Sequence, residues 1–491
     1  MTDGDLPQEH RSRHSEKEWS EASFREWFAN CPDVKIDSYS IDANRTVTFV
    51  YCEHLCDLQQ INETVLTALY KLASGDDVRT VPLQLKPFLS PLTATRAAQA
   101  VFGGELLVIL GQTHEVFTLN LMNVPKRNPE ESVLDVSIRG PRDGFVEDYS
   151  VNLALIRKRL RTETLALEEF TLGKRSSTKV GLLYVRDVIN PAYVNDVRSR
   201  LSQIDLDTLV SPAQLEEWIG EPRFSLFPLF FYTGRPDFVV DSLSRGRFAL
   251  IVEGGPLAIV APANLFLIIK SPEDAYFPFW ISSMSRILRI SGLCISILLP
   301  GFWISLAQYN QDQLPFPLLS SITQTRIGLP LPISMELFLM LFLLDLFREA
   351  GSRLPKAIGQ TLTVVGGIVI GDAAVRAALI SPSLLIIASL SSVANYTLSN
   401  QALVGGVTIA RFIVFLASSF LGMYGFVISI IALVLHLASQ QSFGLPYLAP
   451  VSPLSVREVI TGVLASAWRR LRKRPQILHT QDSTRTGRKK S

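Results

Sequence analysis

The chain has 491 residues, a net charge of +2 at pH 7 and a composition that is 47% hydrophobic. The length allows two or three domains, and the small net charge averages a charged N-terminal half with an apolar C-terminal half. The four cysteines are too few and too unevenly spaced for the disulfide framework of a secreted domain, which favours a reducing compartment.

The N-terminal part of the chain is predicted to be α/β. Residues 1–22 are polar and lack the apolar core of a signal peptide, which indicates a flexible tail in the cytoplasm. Residues 23–138 form a first α/β domain. It contains two strands around the turn at residues 42–44, a helix over residues 61–75 and two strands around Gly111.

Residues 139–170 are predicted to be a connector with a basic helix. An apolar stripe marks one side of this helix, and basic residues crowd the other. The basic residues are Arg157, Lys158, Arg159 and Arg161. One interpretation is a solvated helix that joins two domains, and the other is a docking or coupling surface that contacts phosphate.

A second α/β domain is predicted over residues 171–275. Proline is favoured at the first helical position, so helices are expected to begin at Pro191 and at Pro236. Two short apolar runs, residues 248–252 and 257–260, are separated by a glycine-containing turn and predict a β-hairpin.

Five apolar runs dominate the predicted helical domain at residues 276–440. They cover residues 287–308, 333–347, 358–380, 384–398 and 407–437. About 20 apolar residues cross a hydrocarbon core roughly 30 Å thick. So many runs in succession leave little chain to cover them in a soluble core, so we predict an integral membrane protein with several spans.

Basic residues set the predicted orientation. Residues 441–491 form a strongly basic tail, which the positive-inside rule places in the cytoplasm, where it can contact anionic lipids. With both ends on that side, the number of complete crossings is even. Five runs then require that one is re-entrant, with residues 333–347 as the candidate, or that the run at residues 407–437 is not one straight span.

Ionisable residues at membrane depth are costly and mark candidate sites. Glu336 and Asp345 fall on opposite faces of a straight helix, so they do not predict one carboxylate site. Asp372 and Arg376 are spaced to form an ion pair, either as neutralised packing or as part of a conduction or gating path. Arg411 is expected to extend to the membrane interface.

Common catalytic and metal motifs are absent from the sequence. It has no GxxxxGK[ST], GxSxG or HExxH pattern, and the cluster of Cys52, His54 and Cys56 has no evident fourth ligand. We therefore expect no catalytic activity, no cofactor and no metal site. No nucleic-acid partner is expected either.

Several stretches together closely resemble one protein family. They are GPRDGFVEDYSVNLALIRKRLRT, RSSTKVGLLYVRDVINP, RPDFVVDSLSRGRFALIVEGGPLAIVAP, LFREAGSRLPKAIGQTLTVVGGIVIGDAAV and SFGLPYLAP, spread over residues 139–450. The chain resembles the GerA family of spore germination proteins, and within it the A-type subunit of nutrient germinant receptors. The resemblance implies the inner membrane of a spore. It also implies a multi-spanning B-type partner that binds the nutrient, a lipoprotein C-type partner, and oligomerisation into a ligand-gated ion conduit.

Three functional hypotheses follow. The first is a receptor subunit that forms an ion conduit coupled to its cytosolic α/β domains. The second is a signalling or assembly scaffold that does not conduct. The third is a secondary transporter, which is disfavoured because the sequence lacks paired halves with matching broken helices.

Overall fold

The computed structural model describes residues 21–42, 45–70, 83, 85–88, 93–111, 115–122, 137–221, 224–354, 371–467, 469 and 471–485. In these parts of the chain, two five-stranded antiparallel sheets precede a region of long helices.

The first sheet has the order β1-β2-β4-β5-β3. Its strands are β1 (Val34–Asp42), β2 (Arg45–Cys52), β3 (Lys86–Pro87), β4 (Glu105–Leu110) and β5 (Val116–Asn120). The helices of this domain are α1 (Glu21–Trp27), α2 (Leu58–Gln60), which continues as the π-helix Ile61–Leu66 into α3 (Thr67–Tyr70), and α4 (Ala94–Val101). Both predicted strand pairs are present, since β1 pairs with β2 and β4 pairs with β5. The predicted helix over residues 61–75 is described only as far as Tyr70.

The second sheet has the order β6-β7-β9-β10-β8. Its strands are β6 (Leu165–Leu172), β7 (Thr178–Val185), β8 (Phe231–Thr233), β9 (Phe248–Val252) and β10 (Ala258–Ala261). Its helices are α5 (Tyr149–Arg159), α6 (Pro191–Ser202), α7 (Pro212–Ile219), α8 (Pro236–Ser244) and α9 (Leu265–Ile268). The predicted hairpin is β9 and β10, and both predicted proline-led helices form. The Asn190 side chain caps α6 by accepting a hydrogen bond from the Ala192 N–H at 3.0 Å.

Two segments predicted to lie outside the second α/β domain belong to its core. From the predicted connector, α5 buries Tyr149, Leu153 and Ile156 in that core, and β6 forms an edge strand of the sheet. The start of the predicted basic tail is apolar and is packed there too, with Phe443 in edge contact with Phe248 at a centroid distance of 5.0 Å. Burial of these apolar residues outweighs the charge of their neighbours in the chain.

Five long or medium-length helices are described in the helical region, and residues 371–376 are helical as well. The five are α10 (Phe279–Ile304), α11 (Phe316–Arg326), α12 (Ile333–Arg353), α13 (Pro382–Tyr396) and α14 (Gln401–Ser439), and α15 (Val456–Val463) follows them. Among the described residues, Phe279–Tyr309 and Gln401–Ser439 are long and apolar enough to cross a membrane, and α13 is a shorter apolar helix. The predicted apolar run at residues 358–380 lies mostly outside the described residues.

The longest helix, α14, is not straight. Gly422 inside it has φ 59° and ψ −137°, a conformation that is open to glycine but costly for other residues. A Cβ at this position would lie 2.9 Å from the Tyr309 ring. The kink therefore divides the long apolar run at residues 407–437 into two helical parts that differ in direction.

The chain returns to the second α/β domain after α14. The Ser442 hydroxyl donates a hydrogen bond to the Leu229 carbonyl at 2.8 Å, and the Asn264 side chain donates one to the Ala449 carbonyl at 2.7 Å. Because α10 also starts from this domain, the chain enters and leaves the helical region at the same end of the helices.

Candidate functional site

A cluster of polar and charged side chains lies between the long helices, and we call it the central cluster. Asp345 of α12 forms an ion pair with Arg411 of α14, and the Arg411 side chain is completely buried. One nitrogen of Arg411 lies 3.5 Å from the Ser391 hydroxyl of α13. Arg348 lies 3.7 Å from Asp345 and donates a hydrogen bond to the Thr408 hydroxyl at 3.2 Å. Polar contacts thus join α12, α13 and α14.

Several buried polar atoms in and beside the central cluster have no hydrogen-bond partner within the described part of the chain. They are the hydroxyls of Ser296 and Ser392, the side-chain carbonyl of Asn395 and the Nε of Arg411. Buried polar atoms are nearly always satisfied in folded proteins, so these atoms are suited to contact water or an ion. The central cluster can therefore hold polar species between apolar helices.

The second carboxylate of α12, Glu336, is buried in a different place. It lies 3.2 Å from a nitrogen of Arg326 on α11, and it accepts a hydrogen bond from the N–H of Ser381 at 3.1 Å. Ser381 is the N-cap of α13, where the helix dipole and the unpaired N–H groups favour a negative charge. Glu336 therefore links α11 and α13 to α12, while Asp345 contacts other residues.

The predicted interfacial position of Arg411 is wrong. Its side chain is 0% exposed because Asp345 supplies a negative charge inside the bundle. The sequence did contain a signal: the apolar runs at residues 333–347 and 407–437 carry opposite charges that can pair. The other members of the central cluster, Ser391 and Thr408, were missed because hydroxyl residues are common in apolar helices.

Asp372 and Arg376 lie outside the central cluster. They form an ion pair 2.7 Å apart, with 57% of the Asp372 side chain and 79% of the Arg376 side chain exposed. The structure thus places these two predicted site residues together on an exposed helical face, apart from Glu336 and Asp345.

We expect Asp372→Asn to change the free energy of unfolding of the single chain by less than about 1 kcal/mol, because exposed ion pairs contribute little. The thermal midpoint of the full chain in a neutral detergent, together with the amount of protein in the membrane fraction, tests this expectation. A large loss of folded protein would contradict it and would place the pair in an interface with another subunit.

The four basic residues at the end of α5 do not form one solvated surface. Arg157 is buried and makes two hydrogen bonds to the Asp33 carboxylate, both at 2.8 Å. Arg159 pairs with Asp143 at 2.6 Å, and Lys158 and Arg161 are exposed. The predicted docking face is therefore corrected, because α5 packs on both sides and turns Arg157 inward.

Arg157 connects the two α/β domains. Its guanidinium lies 4.3 Å from the centre of the Phe102 ring in the first domain and donates a hydrogen bond at 2.8 Å to the Leu165 carbonyl in the second. Ala154, from the same helix, is completely buried in the core of the first domain. Arg157 therefore links the two α/β domains by direct contacts inside the protein, and the coupling role of the basic residues stays a prediction.

The sequence model of the family described as "Bacillus/Clostridium GerA spore germination protein" matches residues 22–477. This chain belongs to the GerA family. The resemblance predicted from the sequence motifs is therefore confirmed.

Three relatives illustrate the similarity of this GerA-family chain to curated proteins. It is 41% identical to spore germination protein XA of Bacillus anthracis, covering 95% of this chain and 97% of that protein. It is 36% identical to spore germination protein GerLA of Bacillus cereus, covering 78% of each. It is 33% identical to spore germination protein B1 of Bacillus subtilis, covering 90% and 93%.

One solved structure is also similar to this GerA-family chain. It is the N-terminal domain of the A subunit of the Bacillus megaterium spore germinant receptor GerK3, which is 24% identical to this chain. The match covers 49% of this chain and 92% of that domain, with a TM-score of 0.36.

Proposed function

We propose that this GerA-family chain is the A-type subunit of a spore nutrient germinant receptor and that it forms part of a ligand-gated ion conduit. The observation that carries the proposal is the central cluster, where Asp345 and Arg411 lie among buried polar atoms that have no hydrogen-bond partner among the residues that the structure describes. Polar side chains inside an apolar bundle commonly mark ion or substrate paths.

The proposed setting is the inner membrane of the spore. The two long apolar helices support insertion in a bilayer, and both ends of the helical region meet the same α/β domain, which supports a cytoplasmic position for the N- and C-terminal parts. The proposed partners are a B-type multi-spanning subunit, a C-type lipoprotein, further copies of this chain and membrane lipids.

The test is nutrient-triggered cation flux in liposomes that contain the B-type and C-type subunits with or without this chain. We expect flux only when this chain is present, because its central cluster provides the polar path. Equal flux from the companion subunits alone would contradict the proposed conduit.

A second candidate function is a non-conducting scaffold that passes a conformational change from the B-type subunit. The pairing of Glu336 and Asp345 on α12 favours it, since Glu336 contacts Arg326 and Asp345 contacts Arg411. Paired charges can fix how helices pack without contacting a mobile ion. In the liposome test, a scaffold predicts that the companion subunits conduct cations without this chain.

A further inference from the structure

A cavity of about 700 Å³ lies where three parts of the chain meet. The parts are α8, the segment that leads into α10, and the C-terminal residues after α14. The C-terminal segment is bonded to the second α/β domain beside the cavity: Arg474 donates a hydrogen bond to the Ser244 carbonyl at 2.9 Å, and the Gln481 N–H donates one to the Val188 carbonyl at 3.1 Å. The cavity is therefore enclosed by segments that are far apart in the sequence.

Positive charge dominates the lining of this cavity. Nine lining residues are Lys or Arg, and the four acidic ones are Asp237, Asp241, Asp274 and Glu458. Three of these carboxylates form ion pairs with arginines: Asp237 lies 2.7 Å from Arg235, Asp241 lies 2.7 Å from Arg245, and Asp274 lies 2.9 Å from Arg286. Glu458 accepts a hydrogen bond from the Gln476 N–H, and its other side-chain oxygen has no hydrogen-bond partner within the described part of the chain. Although burial opposes it, Arg245 holds the pKa of Asp241 below its ordinary value. The aspartates are therefore matched by arginines, which leaves other lining cations without a carboxylate partner.

Five lining cations have no carboxylate in ion-pair contact among the described residues: Arg247, Lys270, Arg457, Arg472 and Lys473. Arg247 is buried and Lys270 half-buried, whereas the other three are exposed. Arg247 is 4% exposed and donates a hydrogen bond to the Pro262 carbonyl at 3.0 Å. Burial, reinforced by the charge of Arg245, lowers its pKa to about 10. Burial and the neighbouring arginines also lower the pKa of Lys270 well below its ordinary value. A cation that is buried, like Arg247, or half-buried, like Lys270, is costly without an anion, and the cavity offers space for one.

We propose that this cavity binds a phosphate group, carried by an anionic phospholipid or by a small phosphorylated solute, with Lys270 and Arg247 as its main contacts. Guanidinium and ammonium groups together match the charge and the several acceptor oxygens of a phosphate. A volume of about 700 Å³ accommodates a group of this size with its substituent.

The position of the cavity connects phosphate binding to the start of the first long helix. Phe279 and Trp280, the first residues of α10, are 48% and 62% exposed, as is typical of aromatic side chains at a membrane interface. A phospholipid headgroup could reach the cavity from this level, and so could a solute from water. The site is separate from the central cluster and does not depend on the proposed conduit.

The first experiment measures the thermal midpoint of the full chain in a neutral detergent, in sodium phosphate and in sodium chloride of equal ionic strength. We expect phosphate to raise the thermal midpoint of the wild type. The dependence of the midpoint on phosphate concentration gives an apparent Kd for phosphate, which should be at least tenfold weaker in Lys270→Met. Without phosphate, Lys270→Met should be as stable as the wild type or more stable, since it removes a half-buried cation that has no carboxylate in ion-pair contact among the described residues. The matched control is Lys174→Met, whose side chain is 71% exposed and paired with Asp205, and it should keep the full phosphate effect.

The second experiment adds short-chain phosphatidylglycerol or phosphatidylcholine to the same samples. If only phosphatidylglycerol raises the thermal midpoint in a Lys270-dependent way, the ligand is a phospholipid headgroup. If inorganic phosphate raises it in that way, the ligand is a phosphorylated solute. Lys270→Gln provides a second variant of similar length if Lys270→Met does not fold. The proposal is overturned if neither probe stabilises the wild type, or if the Lys270 variants respond as the wild type does.

Discussion

Asp33→Asn is expected to lower the free energy of unfolding of the full chain by about 3–5 kcal/mol, because it leaves a buried guanidinium without its counter-charge. The side chains of Asp33 and Arg157 are 0% and 1% exposed, so water cannot replace the lost partner. Urea unfolding in a neutral detergent, followed by tryptophan fluorescence, measures the loss. Trp27 reports on the first α/β domain, because its ring lies 5.1 Å from that of Phe24 in the domain core.

The matched control is Asp207→Asn, which removes a carboxylate of the same type from an exposed ion pair. Asp207 and Arg175 are 61% and 81% exposed, so we expect a change below about 1 kcal/mol. The double variant Asp33→Leu with Arg157→Met should recover most of the stability, since both buried charges are gone. If Asp33→Asn cost no more than the control, the pair would not be what joins the two α/β domains.

The sequence predicted the elements whose signals are local. A proline at the first helical position determined the starts of α6 and α8, and the turn between two apolar runs determined the β9–β10 hairpin. In each case the decisive residues lie within the element or next to it. For these elements, tertiary packing and local preference favour the same structure.

The wrong predictions concern charges whose partners are distant in the sequence. Arg157 lies 124 residues from Asp33, and Arg411 lies 66 residues from Asp345. A basic residue on a helix is usually solvated, and nothing in the local pattern indicates that a carboxylate from another element will lie against it. The same limit applies to the phosphate cavity, whose cations come from three separate segments.

The apolar residues just after α14 were also assigned to the wrong part of the fold, because the segment that follows them is strongly basic. The residues after α14 precede a strongly basic segment, yet Phe443 and Tyr447 are buried in the second α/β domain. A short apolar stretch next to a charged tail carries no period that identifies its partner. Where this stretch packs depends on how close the end of α14 lies to the second α/β domain, and no local sequence pattern indicates that distance.

Asp345→Asn is expected to reduce the amount of folded chain in the membrane several-fold, because it leaves Arg411 buried among apolar helices without a negative charge. The expected cost is about 3–5 kcal/mol, as for other broken buried pairs. Quantifying the detergent-extracted, monodisperse chain by size-exclusion chromatography measures this. Asp372→Asn is the matched control, since it breaks a pair whose carboxylate is 57% exposed. If the two variants lost equal amounts of folded chain, burial of the Asp345–Arg411 pair would not explain the loss.

The double variant Asp345→Leu with Arg411→Met separates packing from conduction. Removing both charges leaves no completely buried ion unpaired, since Arg348, which also loses Asp345, is 26% exposed. The amount of folded chain should therefore return towards that of the wild type. A conduit that uses the central cluster would still show reduced or altered cation flux in liposomes with the companion subunits, because its polar path has lost both charges. A scaffold would instead show wild-type flux once the chain is present at normal levels. Folding and flux that recover together would therefore assign Asp345 and Arg411 to packing alone, whereas recovered folding without recovered flux would assign them to the ion path.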